Sequence, residues 1–160
     1  MNSRLRSVAA LIVSTATCLL VGVSGALVTA TSVTEWYPHI QKPSWTPPGA
    51  VFGPVWTVLY LLMGVAAWMI WRKSVGTPRR TALLIFVAQL VLNGAWSFLF
   101  FGLRNPGWAA LEIALLWCSI VATMLVFARI RRLAAGLLVP YLVWVSYAAG
   151  LNFAIWNLNG

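Results

Sequence analysis

The sequence predicts an all-α membrane protein folded as a compact bundle of five transmembrane helices. Three observations carry that prediction. Of 160 residues, 61% are hydrophobic and only 8% are charged; a soluble domain carries roughly a quarter charged residues, so this chain cannot build a water-facing surface. The apolar residues fall into five runs, at about 8–30, 51–71, 81–102, 107–128 and 134–157, each near the ~20 residues a helix needs to cross a hydrocarbon core of about 30 Å. Together the runs hold one formal charge, Glu112. Barrel strands would be half as long and would alternate in polarity, which these runs do not.

The first run follows Arg4 and Arg6, as a signal peptide would, but it exceeds the roughly 7 to 15 residues of a signal core and is therefore expected to remain as a helix. Residues 31–50 carry Pro38, Pro43, Pro47 and Pro48, with Trp36, Tyr37, His39 and Trp45 among them. Proline fixes φ and restricts its predecessor, so this segment is expected to be stiff and extended rather than helical, forming a lid over the outer mouth of the bundle. The second run ends on Trp68 and Trp71, and a basic loop from Arg72 to Arg80 leads into the third. Leu103 to Pro106 joins the third run to the fourth, and Arg129 to Leu133 joins the fourth to the fifth. Loops this short make neighbouring helices antiparallel.

Nine of the eleven Lys and Arg residues flank the amino-terminal side of the runs, leaving only Lys42 and Arg104 on the other. In a bacterial inner membrane this places the amino terminus in the cytoplasm and the carboxyl terminus outside. The formal charge of +9 is thereby explained by topology and the lipid bilayer, without nucleic acid as a partner.

Polar groups inside the membrane are expensive and must face inward. Gln89, Asn93 and Trp96 share one face of the third helix at i, i+4 and i+7, with Asn93 about 18 Å from the inner end at 1.5 Å per residue. Asn152 lies on the same stripe of the fifth helix as Trp144 and Ala148. Asn93 and Asn152 act either as interhelical hydrogen-bonding groups or as ligand contacts. Glu112 has three readings: an ion pair with Arg104, an acceptor for an indole, or a proton-handling group. Trp56, Trp96 and Trp144 lie below the interfacial belt that explains Trp68, Trp71 and Trp156, and their N–H groups call for partners in a polar-lined pocket. Cys18 and Cys118 read as packing residues, and no set of residues has metal-ligand spacing. His39 is either a surface residue or an axial haem ligand. Gly22 with Ala26, and Ser146 with Gly150, allow close helix approach within or between subunits.

Four motifs then appear in order: WYPHIQKPSWTPP from Trp36, FGPVWTVLYLLMG from Phe52, QLVLNGAWSFLFFG from Gln89 and PYLVWVSYAAGLNF from Pro140. They resemble the translocator protein family, also called the tryptophan-rich sensory proteins, over nearly the whole chain. The resemblance implies a five-helix bundle, commonly a homodimer, that binds tetrapyrroles such as protoporphyrin IX or other apolar small molecules. Trp56 and Trp144 match the family's ligand-facing tryptophans. Asn93, Trp108, Ala148 and Leu151 match its pocket wall, and Trp45 and Pro47 its lid. Tyr60, Trp96 and Asn152 complete the candidate ligand site. The chain departs from the vertebrate sterol motif near its end, where Phe153 stands in place of a tyrosine and no basic residue follows.

The expectation is therefore a membrane tetrapyrrole-binding protein acting as sensor or carrier, with porphyrin as ligand and no resident cofactor or metal. Lys42 or Arg104 would meet the porphyrin carboxylates. Two other readings remain. One is an enzyme that degrades porphyrin by a light- or oxygen-dependent route through Trp56 and Trp144, since no other catalytic residues are identified. The other is a structural membrane subunit.

Overall fold

A computed structural model describes residues 2–160. It is all-helical among the described residues, and five of its helical segments are long and apolar enough to span a membrane. In chain order the elements are α1 (Ser3–Glu35), a 3-10 turn (Tyr37–His39), α2 (Gly49–Lys73), α3 (Gly76–Ser97), a π-helical turn (Phe98–Gly102), α4 (Pro106–Ile130), α5 (Arg132–Gly136) and α6 (Val139–Asn159).

The first helix is longer than its apolar run. It continues to Glu35 because Thr29, Ser32 and Thr34 do not break it. Thr29 and Thr34 return their hydroxyls to carbonyls of the preceding turn, and Ser32 Oγ donates across to the Phe101 carbonyl at 2.5 Å. Its 33 residues extend about 50 Å, well beyond a hydrocarbon core of about 30 Å. The lid therefore begins at Trp36 rather than residue 31, and it contains one turn of 3-10 helix where an extended course was expected.

The other junctions are tighter than the charge pattern suggests. The basic stretch from Arg72 to Arg80 is mostly helix, and only Ser74 and Val75 separate α2 from α3. Gly76 makes that turn possible with φ at +63°. Outside α3, the π turn is closed by the Leu103 amide reaching the Phe98 carbonyl at 2.8 Å, and Arg104 then adopts φ +51° to redirect the chain into α4. The fifth run is broken at Leu137–Leu138, where Pro140 in the first turn of α6 cannot supply an amide to continue α5.

Packing is closest between α1 and α2, α3 and α4, and α4 and α6. Two glycines set the α1–α2 approach: a methyl at Gly64 would stand 2.6 Å from Thr15 Cα, and one at Gly22 would stand 2.5 Å from the Tyr60 ring. Gly22 thus serves contact within one chain. The backbones of α2 and α6 do not pack closely, and aromatic side chains bridge the space between them.

Candidate functional site

The lid is built from its own hydrogen bonds and fastened to α6 at two places. Lys42 Nζ donates to the carbonyls of Tyr37 at 2.6 Å and Ile40 at 2.9 Å and lies 4.9 Å from the Tyr37 ring centre. Asn159 exchanges two bonds with the backbone of Gln41, each 2.9 Å, and the Tyr147 hydroxyl donates to the Trp45 carbonyl at 2.8 Å. Partial burial, and after it the electrostatic influence of the Tyr147 phenol, raise the Tyr37 phenol above its ordinary range.

Under the lid, aromatic rings form a chain across the α2–α6 seam. Trp45 meets Tyr147 edge-on at 5.6 Å, Tyr147 lies 5.8 Å from Trp144, and Trp144 meets Phe52 at 5.7 Å. On the inner side Trp56 stacks on Tyr60 at 5.5 Å and meets Tyr141 edge-on at 6.2 Å. A groove of about 480 Å³ opens along this seam, walled by Pro54, Val55, Val58 and Leu59 of α2 and by Pro140, Val143, Trp144 and Tyr147 of α6. The Trp144 indole N–H is buried and has no partner among the described residues.

Deeper in the bundle the polar residues satisfy one another. Tyr60 donates to Asn93 Oδ1 at 2.6 Å, Asn93 Nδ2 donates to the Tyr141 hydroxyl at 3.0 Å, and that hydroxyl donates to Gln89 Oε1 at 3.0 Å. Towards the outer end, Trp96 Nε1 donates to Asn152 Oδ1 at 2.9 Å while Asn152 Nδ2 donates to the Pro106 carbonyl at 2.8 Å. Both asparagines thus join helices, the first of the two roles their positions allowed. Trp96 also stacks on Phe100 at 5.2 Å.

The structure divides the candidate site residues. Of these residues Trp144 lines the seam groove, and Trp45 meets Tyr147 beside it, with Pro47 half-buried in the lid; Trp56 and Tyr60 stack on each other, and Tyr60 also joins the Asn93 network. Asn93, Trp96 and Asn152 belong to the interhelical networks, and Ala148 and Leu151 are buried on α6. Trp108 stands apart, 62% exposed, and lines a separate groove of about 580 Å³ with Phe153 and Trp156. The sequence reading passed over Phe52, Tyr141 and Tyr147. Tyr141 and Tyr147 flank Trp144 at three-residue steps on α6, a spacing that signals a shared side of a helix.

Two electrostatic expectations are corrected. Arg104 does not reach Glu112; its Nη2 pairs with Glu35 Oε2 at 3.2 Å, because the positive φ at Arg104 and the long α1 bring those two ends together. Glu112 is buried with neither oxygen hydrogen-bonded among the described residues, so no indole donates to it. Lys42 is engaged by carbonyls of its own loop, and Arg104 by Glu35 through one nitrogen at the exposed outer end.

Comparison with known proteins agrees with this architecture. Residues 14–157 match the TspO/MBR family. The chain is 44% identical to the tryptophan-rich protein TspO of Chlorobaculum tepidum, covering 89% of this chain and 90% of that protein. It is 40% identical to the human translocator protein over 78% of this chain and 75% of the relative. It is 39% identical to the tryptophan-rich sensory protein of Cereibacter sphaeroides over 78% and 77%. A tryptophan-lined bundle of five membrane-spanning helices and these matches along most of its length lead to one conclusion: the chain belongs to the TspO/MBR family.

Proposed function

We propose that this multi-pass membrane protein binds a tetrapyrrole of the protoporphyrin IX type in the α2–α6 seam beneath the lid, as a sensor or carrier. The observation that carries the proposal is the unpartnered, buried N–H of Trp144, a residue on the wall of an apolar groove. A buried donor without a partner costs free energy, and a ligand acceptor placed against it recovers that cost. The groove volume of about 480 Å³ falls in the range of small-molecule sites, roughly 300–1,000 Å³. A flat macrocycle gains from stacking on Trp144 and Tyr147 at the groove wall and from leaving water. Its carboxylates stay at the aqueous rim, since Lys42 is held within the lid. Titration of the purified protein with protoporphyrin IX, read by tryptophan quenching in the dark, tests this. Saturable quenching supports it, and a linear response equal to that of free tryptophan rejects it.

We also propose that, in a bacterial inner membrane, the amino terminus lies in the cytoplasm, because nine of eleven basic residues lie at that end. A reporter fused after Gly160 is then active only outside the cytoplasm. Activity of a cytoplasmic reporter at that position contradicts the orientation.

A further inference from the structure

The end of the bundle opposite the lid is strongly positive and carries no acidic residue, since Glu35 closes α1 at the outer end and Glu112 lies in the outer part of α4. The one ion pair among the described residues, Arg104 with Glu35, is also at the outer end. The positive end therefore has no counter-charge within the protein.

At one corner of that end the arginines are held in place. The Arg72 guanidinium lies 4.8 Å from the Trp68 ring centre, and Trp68 is itself fixed by its N–H donating to the Ser7 carbonyl at 2.9 Å. The Arg79 guanidinium lies 5.8 Å from the Trp71 ring centre, and its Nη1 is 3.5 Å from the Trp71 carbonyl. The two-residue turn at Ser74–Val75 places Arg72 and Arg79 on the two arms of one tight junction, and α5, which begins at Arg132, packs on α2.

We propose that this corner is a binding site for the phosphate group of an anionic phospholipid. Guanidinium groups bind phosphate oxygens in bidentate fashion, and groups already braced on indole rings lose less conformational freedom on binding than free side chains. A lipid rather than a soluble phosphate is the occupant because the corner sits where apolar helices end. Leu84, one turn beyond Arg80 on α3, and Leu133, next to Arg132 on α5, are each 59% exposed and offer contact to acyl chains at this end of the bundle. Basic pockets between helix ends recognise anionic headgroups in this way.

The test is native mass spectrometry of the whole protein released from nanodiscs containing phosphatidylglycerol and phosphatidylcholine in equal amounts. The wild type is expected to retain one phosphatidylglycerol in preference to phosphatidylcholine. Replacing Arg72→Gln with Arg79→Gln should weaken retention by about thirtyfold, taking roughly one tenfold step and a half for two lost cations. Lys73→Gln with Arg80→Gln removes equal charge from the same end, but from side chains with no indole brace among the described residues, and should weaken it by less than about threefold. Arg72→Lys with Arg79→Lys keeps charge without the planar guanidinium and should fall between, which also separates loss of the site from loss of fold. Equal losses in the two glutamine pairs, full retention in the lysine pair, or displacement of the lipid by millimolar glycerol phosphate would each overturn the proposal.

Discussion

The Tyr147 hydroxyl donates to the Trp45 carbonyl at 2.8 Å while the two rings meet edge-on at 5.6 Å. One side chain of α6 therefore holds both the backbone and the indole of the lid, and its ring continues into the wall that contains Trp144. Removing only the hydroxyl, with Tyr147→Phe, should leave the wall intact and loosen the lid. Loss of one hydrogen bond of ~1 kcal/mol predicts about a fivefold faster release of protoporphyrin in stopped-flow measurements. An unchanged release rate means that the lid does not gate the seam.

The lid as a whole gives a coarser test. Replacing residues 44–49 with glycine and serine removes Trp45, Pro47 and Pro48, and with them the stiffness that keeps the segment over the seam. Ligand release should accelerate by more than in Tyr147→Phe, with little loss of folded protein by size-exclusion chromatography. Release at the wild-type rate assigns the segment to interfacial anchoring alone.

Asn93 joins Tyr60 of α2 to Tyr141 of α6 at the centre of the bundle. Asn93→Leu leaves the Tyr60 hydroxyl without an acceptor and the Tyr141 hydroxyl without a donor. Thermal unfolding in detergent should show a loss of ~1–3 kcal/mol, the cost of orphaned buried groups. A loss below ~0.6 kcal/mol, the average for hydrogen bonds between membrane helices, contradicts a central structural role.

Gly64 faces the Thr15 backbone so closely that no side chain fits. Gly64→Ala should force α1 from α2 and destabilise the bundle by ~1–3 kcal/mol, as overpacking does. Gly53, where an added methyl meets nothing within 4 Å, is the control; equal effects at the two sites rule out close packing as the cause.

The five spans were legible because hydropathy reports burial in lipid directly, and the inward face of α3 was legible because Gln89, Asn93 and Trp96 are costly anywhere else. What escaped depends on partners remote in sequence. The extension of α1 to Glu35 relies on Ser32 meeting Phe101, and the Arg104–Glu35 pair relies on that extension. Two of the three readings for Glu112 supply it with a partner, as a buried carboxyl ordinarily has, and the absence of one among the described residues is set by tertiary placement that spacing along α4 does not reveal. Tyr147 carries a hydroxyl whose acceptor is a carbonyl in a distant loop, which no spacing within α6 reveals.

Trp144 offers the most direct measurement of the central claim. Its N–H is buried without a partner, so Trp144→Phe removes an orphaned donor and should not lower the unfolding temperature. It should weaken dark protoporphyrin binding by ~0.5–1.5 kcal/mol, the value of an aromatic pair, while Trp108→Phe, on the separate outer groove, binds as wild type. If illumination consumes bound porphyrin in the wild type and that decay is lost in Trp144→Phe, the enzymatic reading gains over passive binding. For the site itself the dark titration decides. Weaker binding in Trp144→Phe with an unchanged Trp108→Phe is the predicted result, and wild-type affinity in Trp144→Phe, or a loss confined to Trp108→Phe, contradicts a ligand in the α2–α6 seam.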